Sequence, residues 1–335
     1  MTISNQFRTL IVVLAFAATG GVQAATLKIA TLSPEGSVWM KVLRKHGEAI
    51  TQRTDGAVKL KFYPGGVMGD DKAVLRKMRV GQLHGAVITV GGLVQTYSDI
   101  ALYNLPLLFR SDAEIDYVRA VLDEKLIAGL RENKFVGFGF AEVGFAYPMT
   151  QRPATSVAQM QQLKVWTPDN DLGSLRAFEA FDISPIPLPI ADVLAGLQTG
   201  LINSVAAPPI GTIALQWHTQ VQHGLELPLL YVYGTFAIAE KPFAKLTEAQ
   251  QAIVSEELRE AVHSADVAAR RDHLSAKNAL TKQGIVWHQP NAVELQEWLD
   301  LASEARQRLI ADGYVSAELY QQTLDLLAEF RASGD

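Results

Sequence analysis

Between Leu163 and Pro209 the chain alternates short apolar runs with helix-like ones, and proline, glycine or capping residues punctuate the boundaries. Lys164-Val165-Trp166 reads as a strand that stops at Thr167-Pro168. Asp169, Asn170 and Asp171 offer side-chain oxygens as N-caps for a helix through Phe181. Ile183 to Pro189 is extended again, and its prolines, which lack the N–H a ladder needs, make it a short or edge strand. Ile190 to Thr199 is helical and is stopped by Gly200, and Leu201 to Ala206 forms a third strand running into Pro208-Pro209. Strand, helix, strand, helix, strand at this spacing is the pattern of a parallel sheet covered by helices. Ligands of such sheets sit beyond the carboxyl ends of the strands. Two of those ends are Trp166-Thr167-Pro168 and Ala206-Ala207-Pro208.

The 335 residues suffice for two domains with substantial cores. With 48% apolar and 19% charged residues the chain is an ordinary globular one rather than a disordered one. A net charge of -5 leaves no footprint for nucleic acid. The absence of cysteine excludes disulfides, thiol nucleophiles and thiolate metal sites. Met1 to Ala24 has the pattern of a signal peptide: Arg8 for the basic region, Leu10 to Ala18 for the apolar one, and Val22-Gln23-Ala24 for the cleavage site. The apolar run is well short of the ~20 residues that span a bilayer, so the expectation is a periplasmic protein with no membrane anchor after cleavage.

The mature chain opens with a strand, Thr26 to Ala30, and a helix from Ser37 to Arg53. Val58 to Tyr63 alternates like a half-buried strand, and Pro64-Gly65-Gly66-Val67-Met68-Gly69-Asp70 leads into a helix reaching Val80. Gly65-Gly66 lacks the Gly-Lys-Ser/Thr ending of a phosphate loop and reads as a tight turn opening that helix. Leu83 to Val90 is a buried strand, and Asp112 to Asn133 a helix. Phe135 to Val143 is an aromatic strand expected to cross towards a second domain, and Tyr231 to Ile238 one expected to return. Gly211 to Gln222 reads as helical. Thr247 and Gln250 form a capping box, and the helix they open has no stop before Gly284. Unbroken, those ~36 residues would extend roughly 54 Å, along both domains; a kink is equally compatible with the sequence. Two amphipathic helices fill Glu294 to Phe330.

Leu163 to Pro209 resembles the periplasmic solute-binding subunits of TRAP transporters, the DctP family. Ala195-Gly196-Leu197-Gln198-Thr199-Gly200 and the strand after it fit closely. So do Phe62-Tyr63-Pro64-Gly65-Gly66-Val67-Met68-Gly69, Gly81 to Val87 and Leu105-Pro106-Leu107-Leu108-Phe109. The resemblance covers nearly the whole mature chain. It implies an α/β, two-domain periplasmic-binding-protein fold of type II-like form, with hinge strands and a long helix spanning both domains. The implied boundaries are residues 26–144 plus about 236–275 for the first domain, and 145–235 plus about 276–335 for the second. The implied function is capture of a small organic ligand in the interdomain cleft and delivery to membrane permease subunits, with no catalysis and no cofactor. Three departures stand out: the family's ligand-binding arginine falls on Trp166, its D-G-x-E-N on Asn203 to Ala207, and its usual aromatic before A-L-Q on Leu194; where the family often carries a second arginine, this chain has Ala146.

An indole offers a flat apolar face and one N–H, and cannot grip a carboxylate in the bidentate way of arginine. The expectation from Trp166 is therefore an apolar or aromatic ligand, with aromatic surface added by Trp39, Phe145, Trp217 and Tyr233 and room left by Ala207 and Pro208. A tryptophan on a buried strand is otherwise a core residue. Candidate polar anchors are Ser33, Glu35, Thr89, Glu142, Asp169 and Asn170. Glu142 at a strand end otherwise turns into solvent, since a buried carboxylate needs a partner. Arg152, Arg176 and Lys164 are the cations positioned to replace the missing arginine. His218 and His223, five apart, do not share a helix face and make a poor metal pair. No G-x-S-x-G or H-E-x-x-H motif is present. A second reading keeps the same fold as a stand-alone periplasmic carrier or sensor for a hydrophobic or lipid-like ligand.

Overall fold

The computed structural model describes residues 24–169 and 172–334. The expected signal peptide, apart from Ala24, and the candidate anchor Asn170 lie outside the described residues. Among the described residues ten strands form the frame: β1 (Ala25–Thr31), β2 (Val58–Tyr63), β3 (Gly85–Thr89), β4 (Phe135–Thr150), β5 (Trp166–Pro168), β6 (Ile186–Leu188), β7 (Ser204–Ala207), β8 (His223–Leu225), β9 (Leu230–Ala239) and β10 (Val286–His288). Their continuous order is β10-β8-β4-β9-β3-β1-β2, with β7 on the far part of β4. β1 pairs in parallel with β2 and β3, and β9 runs antiparallel to β3 and β4. In the Leu163–Pro209 stretch β5 pairs β6 in parallel and a parallel bridge joins Val165 to Ser204, so the alternating pattern does make a parallel set.

β4 explains how two bodies share one sheet. Residues Phe135 to Ala146 pair with β9, and Tyr147 to Thr150 pair with β7 and β8. Helix Asp112–Glu132 covers one side of the first body through Ile115, Val118, Leu122 and Leu126. Helix Val38–Arg53, capped by Ser37, covers the other through Met40, Leu43 and Ile50. In the second body helices Leu172–Ala180 and Ala292–Ala311 pack together, and Val193–Gln198 lies in a separate apolar cluster. Each body thus has apolar clusters on both faces of its sheet, the layering that α/β chains need to bury two apolar sheet faces.

The capping box of Thr247 and Gln250 opens an unbroken helix, Glu248–Lys282. It packs Val254, Leu258, Val262 and Ala265 into the first body and Leu280 into the second, so one helix does span both. Its end is marked by Gly284 at φ +100.

Two expectations change, and one is refined. Gly211 to Gln222 is not one helix. Pro209–Ala214 is helical, Gln216 turns the chain at φ 60, and a short 3-10 turn covers Trp217–Thr219. The extended run from Ile183 keeps ladder pairing only at Ile186–Leu188, as its prolines allow. The last helix, Ala317–Ser333, placed with the second domain by the expected boundaries, packs Leu319 and Leu327 into the apolar cluster beneath Asp112–Glu132. Among the described residues no helix is long and apolar enough to cross a membrane, and no group of three or more side chains is arranged to hold a metal ion.

Candidate functional site

The carboxyl ends of β1 and β3 belong to the first body, and those of β5 and β7 to the second. The end of β1 is tied down by backbone hydrogen bonds from Gly65 N–H to Ser33 O at 2.9 Å and from Gly66 N–H to Thr31 O at 3.1 Å. Lys77 Nζ donates to Met68 O at 2.6 Å and holds the same loop from below. The loop ends at Asp70, whose carboxylate accepts the Ala73 N–H at 2.8 Å and so caps helix Asp71–Arg79. Thr89, at the end of β3, donates its hydroxyl to Asp71 Oδ2 at 2.6 Å. Gly92 lies against that carboxylate so closely that a Cβ there would sit 2.6 Å from Asp71 Cβ.

Burial, with Asp70 and Asp169 nearby, pushes the Asp71 carboxyl up to about 6. Burial and Asp70 likewise raise Asp169, which follows β5 in the second body. Charges of the two bodies therefore act on one another here: Asp70 raises Asp169 and Lys72 lowers it, so a cation stands among the acids at these strand ends. Asp70 and Asp71 were not among the sequence candidates. Their signal was an Asp-Asp pair after a glycine loop, which reads equally well as a simple helix cap.

The remaining candidates divide. Ser33 and Thr89 stand at the strand ends of the first body. Glu35 is exposed and pairs with Arg44 at 2.5 Å; that guanidinium holds its carboxyl below the usual range. Trp39 is half-buried against the Val38–Arg53 side of the first core. Pro208 is buried, and its carbonyl accepts from Thr212 N–H at 2.9 Å and Thr212 Oγ1 at 3.1 Å. Ala207 is buried in one cluster with Trp166 and Trp217.

Trp166 does not stand as an open platform. It is 5% exposed, its indole N–H donates to Leu188 O at 2.9 Å, and its ring meets Trp217 edge to face at 5.1 Å. Phe145 and Tyr233 lie in the core of the first body, where Phe145 packs edge to face on Tyr231 and the Tyr233 hydroxyl donates to Ile100 O. Glu142, expected to turn into solvent or to anchor ligand, does neither. It is fully buried and paired with Arg270. The three cations that were to replace the missing arginine are engaged elsewhere: Arg152 with Gln162 O at 2.8 Å, Arg176 with Asp312 at 2.6 Å, and Lys164 with Gly200 O at 2.8 Å. His223 finds a partner the sequence did not suggest, His288, at 3.0 Å.

Two α/β bodies joined by paired strands and a common helix are the architecture of a solute-binding protein. The family model for bacterial extracellular solute-binding protein, family 7 (DctP) matches residues 29–312. The chain is 24% identical over 251 residues to the sialic acid-binding periplasmic protein SiaP of Vibrio cholerae, covering 73% of this chain and 77% of that one. It is 29% identical over 224 residues to the 2,3-diketo-L-gulonate-binding periplasmic protein YiaO of Escherichia coli, covering 63% and 65%. The crystal structure of the sugar acid binding protein DctPAm from Advenella mimigardefordensis, in complex with galactonate, superposes with a TM-score of 0.83 at 16% identity, over 91% of this chain and 98% of that one. The chain belongs to the family 7 bacterial extracellular solute-binding proteins. It is a binding protein, not an enzyme.

Proposed function

We propose that this chain works in the periplasm, captures a small hydroxylated organic acid between its two bodies, and hands it to the membrane permease subunits of a TRAP system. What supports this reading is the mutual electrostatic influence of Asp70 and Asp71 on one body and Asp169 on the other, with Lys72 among them, near the carboxyl ends of the strands. The three relatives named above are called binders of, or hold, sialic acid, 2,3-diketo-L-gulonate and galactonate. The carboxylates are acceptors for ligand hydroxyls and repel ligand carboxylates, while Lys72, whose charge lowers Asp169, is a cation that can offset this for one carboxylate and not for two. A C4-dicarboxylate is therefore a poor fit, the more so with Trp166 at the position where the resemblance implies an arginine.

The expectation of an apolar or aromatic ligand rested on an accessible Trp166, and the burial of that ring removes its physical ground. The stand-alone carrier of lipid-like molecules loses the same support. The body boundaries that fit are about 26–146 with 231–275, and 147–230 with about 276–316, the final helix returning to the first body. A thermal-shift panel tests the ligand class: sialic acid, galactonate and 2,3-diketo-L-gulonate beside succinate, malate, aromatic acids and fatty acids. A ligand at ~100 times its Kd adds about 2.7 kcal/mol. The expected shifts are confined to the hydroxylated acids. A strong shift confined to succinate and malate, or to the fatty and aromatic acids, refutes the reading.

A further inference from the structure

Glu142 sits where the three connections between the bodies cross. It lies on β4 where the register with β9 slips, between the Glu142–Tyr233 and Gly144–Val232 pairs. From the long helix, Arg270 donates Nε to Glu142 Oε1 at 2.9 Å and ion-pairs with Oε2 at 2.6 Å. From β9, the Tyr231 hydroxyl donates to Oε2 at 2.9 Å. The backbone N–H of Glu142 donates to Asp266 Oδ1 at 2.7 Å, again on the long helix. One turn beyond Arg270 on that helix, His273 brings Nε2 to 2.9 Å from Val143 O and Nδ1 to 3.5 Å from Glu142 Oε1. Gly144 crosses beneath this ring at φ +105, and a Cβ there would fall 1.9 Å from the imidazole, so only glycine passes.

The same network is anchored in the first body. Arg270 also holds Asp116 at 2.8 and 2.9 Å, and Arg119 reaches Asp266, the Tyr231 hydroxyl and Phe140 O at 2.9 to 3.2 Å. The strand pairs of the second body begin only at Tyr147. A buried carboxylate stripped of its partners is strongly unfavourable. Movement that pulls β4 off the helix at this point is therefore resisted, whereas rotation about the point leaves the contacts intact.

We infer that Glu142 is the pivot clasp of the closing motion: it pins β4, β9 and the long helix at one point and confines the two bodies to rotation about it. The inference rests on the proposed closure of the two bodies, and its test separates the two ideas. The chain has no cysteine, so Val67→Cys and Ala191→Cys introduce a unique spin-label pair. Val67 is 70% exposed on the loop of the first body, and Ala191 is exposed beside Asp192, whose charge reaches Asp169 in the second. Distance distributions are recorded without ligand for this pair alone and with Glu142→Gln or Tyr231→Phe added, each checked for native far-UV circular dichroism. Glu142→Gln should broaden the distribution and add distances outside the parent range, and Tyr231→Phe should do so to a smaller degree. A merely structural role lowers the unfolding midpoint and leaves the distances alone. Superimposable distributions in folded Tyr231→Phe and Glu142→Gln overturn the clasp; where only Tyr231→Phe folds, its distribution alone decides. If instead the parent pair fails to shorten with a bound acid from the panel, it is the closure reading that falls.

Discussion

Replacing Trp166 with alanine separates a core tryptophan from a ligand platform. The ring is 5% exposed, packs on Trp217 at 5.1 Å and donates its N–H to Leu188 O at 2.9 Å. Truncating such a side chain removes its burial and leaves a cavity, together about 3–5 kcal/mol. The Leu188 carbonyl also loses a donor, a contribution of about 1 kcal/mol contained within that range. For a body of this size each kcal/mol moves Tm by about 2–4 °C, so Trp166→Ala should melt about 6–20 °C lower without any ligand present. Trp166→Phe, which keeps an aromatic ring and loses the N–H, should fall between. The assay is calorimetry of the ligand-free protein, with urea unfolding followed by circular dichroism as a second measure. Were the ring a wall of the cleft, its loss would stay within about 0.5 kcal/mol, as at other surface positions, and would appear in ligand affinity instead. A Tm change under about 2 °C, with ligand binding lost, refutes the reasoning.

Asp71 makes a pH prediction. Its folded-state pKa of about 6 lies above the ordinary 3.8, so the folded state holds the proton more tightly than the unfolded one. Its contribution is fully present below pH ~4 and is lost as pH rises through ~6, at most about 3 kcal/mol. Wild type minus Asp71→Asn, measured by urea unfolding from pH 4 to 8, should fall across that window; a flat difference contradicts it. Thr247→Ala removes the cap of the long helix and should lower stability by about 1 kcal/mol, measured in the same way. Secretion in a native-type host should remove the N-terminus near Ala24, and intact-mass measurement of an unprocessed cytoplasmic chain contradicts that.

The sequence made the fold legible wherever local chemistry decides it. Ser37, Thr247 and Gly284 mark helix ends where capping and left-handed glycine rules put them. The period-two run Val58–Tyr63 is a strand with those bounds. What depends on contacts distant in sequence was hidden. Glu142 looked like a misplaced charge because Arg270 lies 128 residues away. Trp166 looked available because nothing local shows Trp217 and Leu188 enclosing it. Helix Ala317–Ser333 gave its amphipathic pattern but not the body its apolar face would meet. The proposed cleft was half legible: its strand ends can be placed from local pattern, while the charges around it, Asp70, Asp71, Lys72 and Asp169, come together from separate segments.

The most direct test of the account is the distance between spin labels at positions 67 and 191, measured as the panel acid with the largest thermal shift is titrated to saturation. Capture between two closing bodies predicts a shorter, narrower distribution that saturates with the ligand and is not produced by succinate. A saturating hydroxylated acid that leaves the distribution unchanged would contradict it.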